Sequence, residues 1–269
     1  MNKKNIPVEF VYQLFSLVVA VVIVHASYVT VIRPAAAEAI AAQNLAAEQD
    51  PDYVRERSVW VLIKDFEQEA CFILMLWALA IMAYKAWMII KERDLLDRNL
   101  VTVAEGMRVL PEDTREYSRQ IQALETPLRR MLLPRALLAA LQRFSSTRNV
   151  QDVASSTHTI CESEADRLES ELSMIRYISL AIPSVGFIGC VRGFGEALAQ
   201  ADRAVEGDIA GVTQSLGVAF NSTFIALLIS IFLMFLVHQL QLMQERLVFD
   251  TEAYCDERLI SHMYAEHTA

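Results

Sequence analysis

The stretch PSVGFIGCVRG at residues 183–193 decides the fold. Gly186, Gly189 and Gly193 are spaced i, i+3 and i+7, so they share one face of a helix. They lie in or next to an uncharged run, 177–191, that has an arginine at each end. A glycine face lets another backbone approach closely, as it does in helix pairs within membranes. The stretch therefore predicts a transmembrane helix that is packed tightly against a neighbour or forms a crowded wall around a central element.

Three further stretches are long and apolar enough to cross a bilayer, which takes about 20 residues. Residues 10–32 carry no formal charge, residues 70–90 are interrupted only by Lys85, and residues 209–244 form 36 uncharged positions. A cleaved signal peptide is the alternative for the first stretch, but it is too long and lacks a clear cleavage site. We predict an all-α, polytopic membrane protein with four transmembrane helices and a helical cytoplasmic segment.

Composition excludes several other classes of protein. The 269 residues are 54% hydrophobic and carry a formal net charge of −9. A disordered chain, a disulfide scaffold and a basic nucleic-acid binder are all excluded by these values. Seven of the eight glycines fall between Gly186 and Gly217, which marks that region as unusual.

The distribution of basic residues predicts the orientation. Residues 91–176 carry 13 of the 24 lysines and arginines, which predicts that this segment and both termini lie in the cytoplasm. The predicted segments are an N-terminus with the first transmembrane helix (1–32), a periplasmic loop (33–58), the second transmembrane helix (59–90), a cytoplasmic helical segment (91–176), the third transmembrane helix (177–196), a periplasmic hairpin (197–211), the fourth transmembrane helix (212–243) and a cytoplasmic tail (244–269).

Good helix formers dominate the cytoplasmic segment, and its three prolines stand near predicted helix starts. We predict helices at 91–109, 112–126, 128–143 and 151–196, with Asn149 capping the last. The acidic stretch at 162–171 is a solvated helix face or a face on which a partner docks.

Motifs for enzymatic chemistry are absent from the sequence. There is no P-loop, dinucleotide fingerprint, zinc motif or nucleophile–base pair, so we expect no enzyme, no cofactor and no metal. His25 in the first span is either a proton relay or a hydrogen-bonded packing residue.

A polar triplet, Asn221-Ser222-Thr223, interrupts the fourth span. Helix rise from about Gly211 places the triplet near the middle of the bilayer, at a depth similar to that of Cys190. Polar groups in a membrane are either satisfied locally, as when a hydroxyl bonds the i−4 carbonyl, or serve a pathway. Both interpretations remain open from the residues alone.

The two spans together resemble the MotA/TolQ/ExbB proton-channel family. The resemblance rests on the pattern P-x-x-G-x-x-G-x-V-x-G at 183–193 and on GVAFNSTFIALL at 217–228, and it extends over about 177–243. It implies a homopentamer around two copies of a single-span partner like MotB, ExbD or TolR, with ion flow coupled to rotation. Four spans are closer to the flagellar-stator branch, whereas residues 59–243 alone match the three-span plan of the biopolymer-transport branch.

The resemblance also implies which residues line the ion pathway. Thr223 matches one pathway threonine, while Cys190 stands where the other is expected, and Ser222 and Asn221 are further candidates. The residues expected to pack the pore helices are Pro183, Gly186, Gly189, Gly193 and Gly217. A thiol is a poor sodium ligand, which favours protons over sodium.

The centres of the third and fourth spans contain no carboxylate. A proton path needs a titratable group in the membrane, so the partner is expected to supply one. In the family this group is an aspartate on the partner's single helix.

Two other functions compete with the ion-driven motor subunit. A non-conducting structural scaffold would use the same small residues only for packing. A solute transporter usually has paired halves with interrupted helices, and no such repeat is present. Arg129 and Arg130 are either contacts for a rotor or a solvated pair, and the process that the motor powers is not encoded in a recognisable motif.

Overall fold

The computed structural model describes residues 8–49, 58–103, 107–207 and 209–264. Over these residues the protein is all-α, as predicted, and it has no strand beyond an isolated bridge between Val109 and Met263. The helices are α1 (Val8–Ser27), α2 (Arg33–Gln49), α3 (Val59–Leu62), α4 (Phe66–Leu96), α5 (Thr114–Gln122), α6 (Thr126–Arg129), α7 (Leu132–Thr147), α8 (Val150–Glu171), α9 (Ser173–Leu198), α10 (Ala201–Val205) and α11 (Ala210–Arg258). A π-helical turn, Tyr28–Ile32, joins α1 to α2, and a 3-10 turn, Ile260–His262, follows α11.

Four stretches of helix in the described residues are long and apolar enough to cross a membrane. They are Phe10–Ala46, Phe66–Leu96, Val150–Leu198 and Ala210–His262. The protein is therefore a multi-pass membrane protein.

The chain forms two compact units. Unit 1 combines the described residues up to Ala83 with Met174–Val237, and unit 2 combines Tyr84–Ser173 with the described residues from His238 onward. Each unit draws on both halves of the chain because the long helices α4 and α11 contribute to both.

Unit 1 buries small and aliphatic side chains between its helices and exposes large apolar ones. Cys71, Ile182 and Ala226 are fully buried, whereas Phe187 and Ile231 are more than 60% exposed. A surface of large apolar side chains suits contact with lipid rather than water.

Unit 2 has a conventional hydrophobic core. Leu137, Leu141 and Phe144 of α7 are fully buried and pack with Val153 of α8 and Cys255 of α11. Asn149 caps α8 as predicted, because its side chain accepts a hydrogen bond from the backbone N–H of Gln151 at 2.9 Å. These contacts fold the segment that follows α4 back onto the end of α11.

The predicted loop at 33–58 is helical up to Gln49, which corrects that prediction. The segment after Arg33 is rich in alanine, the strongest helix former, and α1 continues into it through the π-helical turn. The loop was inferred from the distribution of charge, which carries little information about backbone conformation. Residues 50–57 of the predicted loop lie outside the described residues.

The predicted helix at 91–109 ends at Leu96, which is a second correction. Val101 and Val109 are buried in the core of unit 2, and the Leu100 N–H donates to the Tyr254 hydroxyl at 3.1 Å. A continuous helix would carry these residues away from the core, so tertiary packing overrides helix propensity here. Part of the predicted helix, 104–106, lies outside the described residues.

The remaining predicted helices differ mainly at their ends. The helix predicted at 112–126 shortens to α5, the one at 128–143 becomes α6 and α7, and the one at 151–196 is α8 and α9 with a break at Leu172. The second span, predicted to start at 59, is divided into α3 and α4, and the predicted hairpin at 197–211 contains α10.

The fourth predicted helix, 212–243, is part of the 49-residue α11, which also takes in the predicted tail as far as Arg258. At 1.5 Å per residue, α11 is about 74 Å long, so it extends well beyond a bilayer, as its uncharged length predicted.

Candidate ion pathway and helix interface

The three predicted glycines of α9 pack directly against α11 in unit 1. A Cβ atom built on Gly186 would lie 2.4 Å from the Ala226 Cβ, and one on Gly193 would lie 2.8 Å from the Ala219 Cβ. A Cβ on Gly189 would lie 2.7 Å from both the Cβ and the Oγ of Ser222. These distances are shorter than non-bonded atoms tolerate, so any side chain at the three positions must push α9 away from α11.

The facing surface of α11 is also made of small residues. Its buried members, Ser215, Ala219, Ser222, Ala226 and Ser230, recur every three or four residues along one face. Ser230 donates a hydrogen bond to the Ser179 carbonyl of α9 at 3.0 Å. Two small-residue faces with hydroxyls between them are the usual means of close helix packing in a membrane.

Two of the predicted packing residues lie elsewhere. A Cβ on Gly217 would meet no described atom within 4 Å, so this glycine is not part of the contact between α9 and α11 within the chain. Pro183 lies inside α9 and is half-buried.

The hydroxyls of the polar triplet are directed toward neighbouring helices of the same chain. Ser222 is fully buried, donates to the Val218 carbonyl at 2.9 Å and accepts from Gln68 Nε2 at 3.4 Å. Thr223 lies within 3.3 Å of the Gly186 carbonyl, the shorter of its two hydrogen-bond distances. Both the packing interpretation and the pathway interpretation of the triplet are compatible with these contacts.

The other two pathway candidates are half-buried. Cys190 follows Gly189, which contacts Ser222, and Asn221 precedes Ser222 on α11. The two residues are therefore close to the level of the triplet along their helices, as predicted from helix rise.

A charged layer, which we define as His25, Arg33, Glu67, Glu69, Arg192 and Glu196, lies in the same unit. Glu67 pairs with Arg192 through two contacts of 2.7 and 2.9 Å, and Arg192 also pairs with Glu196 at 2.7 Å. The Glu69 carboxylate is 8% exposed and contacts Arg33 and His25, each at 2.6 Å. The layer therefore joins α4 to α9 and to the first membrane helix.

The charged layer and the polar triplet occupy one level of unit 1. The Glu67 Cγ would lie 2.9 Å from a Cβ on Gly189, and Gln68 contacts Ser222. Gln68 lies 15 residues from Ala83, the last residue of α4 in this unit, or about 22 Å along the helix. The triplet is thus nearer the Phe66 end of the apolar helices than the middle, which corrects the predicted depth.

The predicted depth of the polar triplet was wrong because helix rise was counted only from the start of α11. On α4 and α9 charged residues begin at the level of Ser222, whereas α11 continues uncharged for three more turns to Ala210. The centres of spans three and four do lack acids, but α4 supplies the carboxylates of Glu67 and Glu69 beside them.

Sequence reasoning missed Gln68 and the ion pairs of the charged layer. The available signal was two glutamates at the start of one span and an arginine at the end of each of two others. The His25 Nδ1–H donates a hydrogen bond to the Glu69 carboxylate, the arrangement expected of a packing residue, although the His25 side chain is 58% exposed.

The fold and site define a polytopic helical membrane protein with polar and charged groups beside a tight helix pair. Residues 129–253, a little under half of the chain, match the model of the MotA/TolQ/ExbB proton channel family, and this match supports the resemblance on which the prediction rested. The match covers all of α7, α8, α9 and α10, and α11 as far as Ala253. No curated protein matches the chain, and no solved structure does. The family indicates an ion-driven membrane channel or motor subunit that works with a partner protein.

Proposed function

We propose that this chain is the multi-pass subunit of an inner-membrane motor that converts ion flow into rotation. In the proposal, five copies surround two copies of a single-span protein like MotB, ExbD or TolR, whose helix carries an aspartate. The main support is the packing of the α9 glycines on α11, with the Ser222 and Thr223 hydroxyls at that contact and the Glu67 and Glu69 carboxylates beside it. This is a non-enzymatic function.

Protons are the proposed ion. A proton moves between hydroxyls, carboxylates and water through short hydrogen bonds, and such groups meet at the level of Ser222. The thiol of Cys190, in place of a hydroxyl, adds to the preference for protons.

The partner is tested by affinity purification of the tagged chain from its native membranes, followed by native mass spectrometry. We expect a complex of five copies of this chain with two copies of a single-span protein. A proton flux in liposomes that contain the complex, measured with a pH-sensitive dye, would support conduction. Purification of the chain without any membrane partner would contradict the proposal.

A non-conducting scaffold is the second candidate, and one observation favours it. The Ser222 and Thr223 hydroxyls already have backbone acceptors inside the chain, so packing alone accounts for them. A scaffold would purify as an oligomer but would not increase proton flux in liposomes under any applied potential.

A further inference from the structure

A groove between α8 and α11 of unit 2 contains two cavities. The larger has a volume of about 250 Å³ and is lined by residues of both helices, among them Thr157, Phe249, Glu252 and Asp256. The smaller, of about 150 Å³, lies on the same pair of helices and is lined by residues that include Gln244 and Glu245. Both cavities are open to the surface, and carboxylates are present at each.

Each cavity is lined by one buried polar side chain that has an unused hydrogen-bonding atom. Thr157 is 2% exposed and Gln244 is 3% exposed. Within the described part of the chain, the Thr157 hydroxyl and the Gln244 amide nitrogen have no hydrogen-bond partner. Buried polar groups in folded proteins nearly always have partners. Of these two atoms, the Thr157 hydroxyl oxygen can accept a hydrogen bond from a guanidinium, whereas the Gln244 amide nitrogen is itself a donor.

The charges around the groove are strongly negative. The larger cavity is lined by Glu252 and Asp256 and the smaller one by Asp166, Glu169 and Glu245, and neither lining contains a lysine or an arginine. A strongly anionic groove of this size selects a cationic occupant.

The same unit presents the complementary charge on other helices. The segment from Thr126 to Arg148, which contains α6 and α7, has five arginines and no acidic residue. One of them, Arg135, pairs with Glu164 inside the unit at 3.2 Å. Arg130, Arg143 and Arg148 are exposed, and no carboxylate in the described residues pairs with them.

We propose that the groove between α8 and α11 receives arginine side chains from the α6–α7 segment of a second copy of this chain. The guanidinium would lie between Glu252 and Asp256, while its methylene stem would pack on Ala154, Ile260 and the ring of Phe249, which is 72% exposed. Arginine binds carboxylates in a fixed geometry and stacks on aromatic rings, so it suits this lining better than lysine.

The contact joins two different surfaces of the same chain, and such head-to-tail contacts form a ring when the rotation between neighbouring copies closes. The inference rests on the self-assembly that the proposed function requires. It goes beyond that function by specifying which surfaces meet.

The test reverses charge on each surface separately and then on both. Asp256→Lys with Glu245→Lys changes one acid of each cavity and leaves the ion pair of Glu252 with His158 intact. Arg130→Glu with Arg143→Glu changes the opposite surface. The matched control is Asp97→Lys with Glu112→Lys, which alters the same charge at exposed positions of unit 2 away from the groove.

The measurement is the concentration at which the detergent-solubilised oligomer dissociates, followed by native mass spectrometry or light scattering. Each reversed pair should raise this concentration at least about tenfold, because it places like charges opposite each other. The quadruple variant should recover most of the loss, and the control should behave as the native chain does.

A second measurement identifies the occupant of the groove. Asp256→Cys on one tagged copy and Arg143→Cys on a differently tagged copy should form a mixed disulfide when co-expressed and oxidised. Oligomers that are unaffected by all the reversals, or cross-linking of Asp256→Cys only to a different protein, would overturn the inference and leave the proposed function standing. A chain that is monomeric in its membrane would overturn both the inferred contact and the proposed function.

Discussion

At the scale of single residues, the contact between α9 and α11 depends on glycines and other small residues. Gly186, Gly189 and Gly193 hold no side chain because α11 occupies the space in which a Cβ would stand. The close approach places the Thr223 hydroxyl within reach of the Gly186 carbonyl. Packing and polarity are therefore coupled at this contact, and a change in one should disturb the other.

Gly189→Ala should destabilise the protein by about 1–3 kcal/mol, the usual cost of overpacking a tight contact. The new methyl would overlap Ser222 at 2.7 Å. Thermal unfolding of the detergent-solubilised protein, monitored by circular dichroism, measures the effect.

Gly195→Ala is the matched control for this prediction. A Cβ at Gly195 meets no described atom within 4 Å, and alanine has the higher helix propensity, so this variant should be neutral or slightly stabilised. Equal destabilisation by the two variants would show that helix propensity, rather than contact with Ser222, governs the response.

The residue patterns that could be predicted were those that depend on one helix at a time. The spacing of the glycines and the Asn149 cap need only local geometry, and both were predicted correctly in position. The pairing of Glu69 with Arg33 was not predicted, because it depends on which helices become neighbours. The buried contact of Gln68 with Ser222 was missed for the same reason.

At the scale of elements, the charged layer connects α4 and α9. The Glu67 carboxylate is 11% exposed and makes a two-point contact with Arg192, a geometry that makes ion pairs stronger than usual. Removal of one partner leaves the other charge partly buried without compensation. Removal of both charges leaves a neutral contact, which destabilises the protein less.

Arg192→Met should therefore destabilise the protein by about 1–3 kcal/mol, and the double variant with Glu67→Gln should be less affected than the sum of the single variants. A double-mutant cycle of unfolding free energies measures the coupling, which we expect to be about 1 kcal/mol or more. Because Arg192 also pairs with Glu196, the parallel cycle with Glu196→Gln serves as the control for an exposed pair. Additive effects of Glu67→Gln and Arg192→Met would mean that the contact does not hold α4 to α9.

Element boundaries were less predictable than element types. The positions of charged residues predict a loop outside the membrane where α2 lies. They say nothing about helix propensity, which is high in this alanine-rich segment. The helix predicted at 91–109 ended early because Val101 and Val109 are required in the core of unit 2. The local periodicity of the sequence does not show that these two valines are buried in this core.

At the scale of the whole molecule, the described residues contain four helices that are long and apolar enough to cross a membrane. We predict that both termini lie on one side, and the distribution of basic residues predicts that this side is the cytoplasm. Three of the four native cysteines are buried and one is half-buried, so the native chain is a suitable background for cysteine labelling.

Asp202→Cys, an exposed position on α10, should react in intact cells with a maleimide that does not cross membranes. Asp97→Cys, exposed after α4, should react only after the cells are permeabilised. The native chain controls for labelling of its own cysteines. Labelling of Asp97→Cys from outside the cell would reverse the proposed orientation.

We propose that the chain conducts protons through the contact between α9 and α11, and a measurement of proton flux tests this proposal. The purified complex with its single-span partner is placed in liposomes that contain a pH-sensitive dye, and a potassium diffusion potential drives the ions. Thr223→Val removes the hydroxyl that contacts the Gly186 carbonyl while keeping the shape of the side chain, and Thr223→Ser keeps the hydroxyl.

We predict that Thr223→Val lowers the flux at least about tenfold with the complex intact, because a hydroxyl of the pathway is lost. Thr223→Ser should retain most of the flux. Full flux through Thr223→Val would contradict the account, because the hydroxyl would then serve only to pack one helix against another.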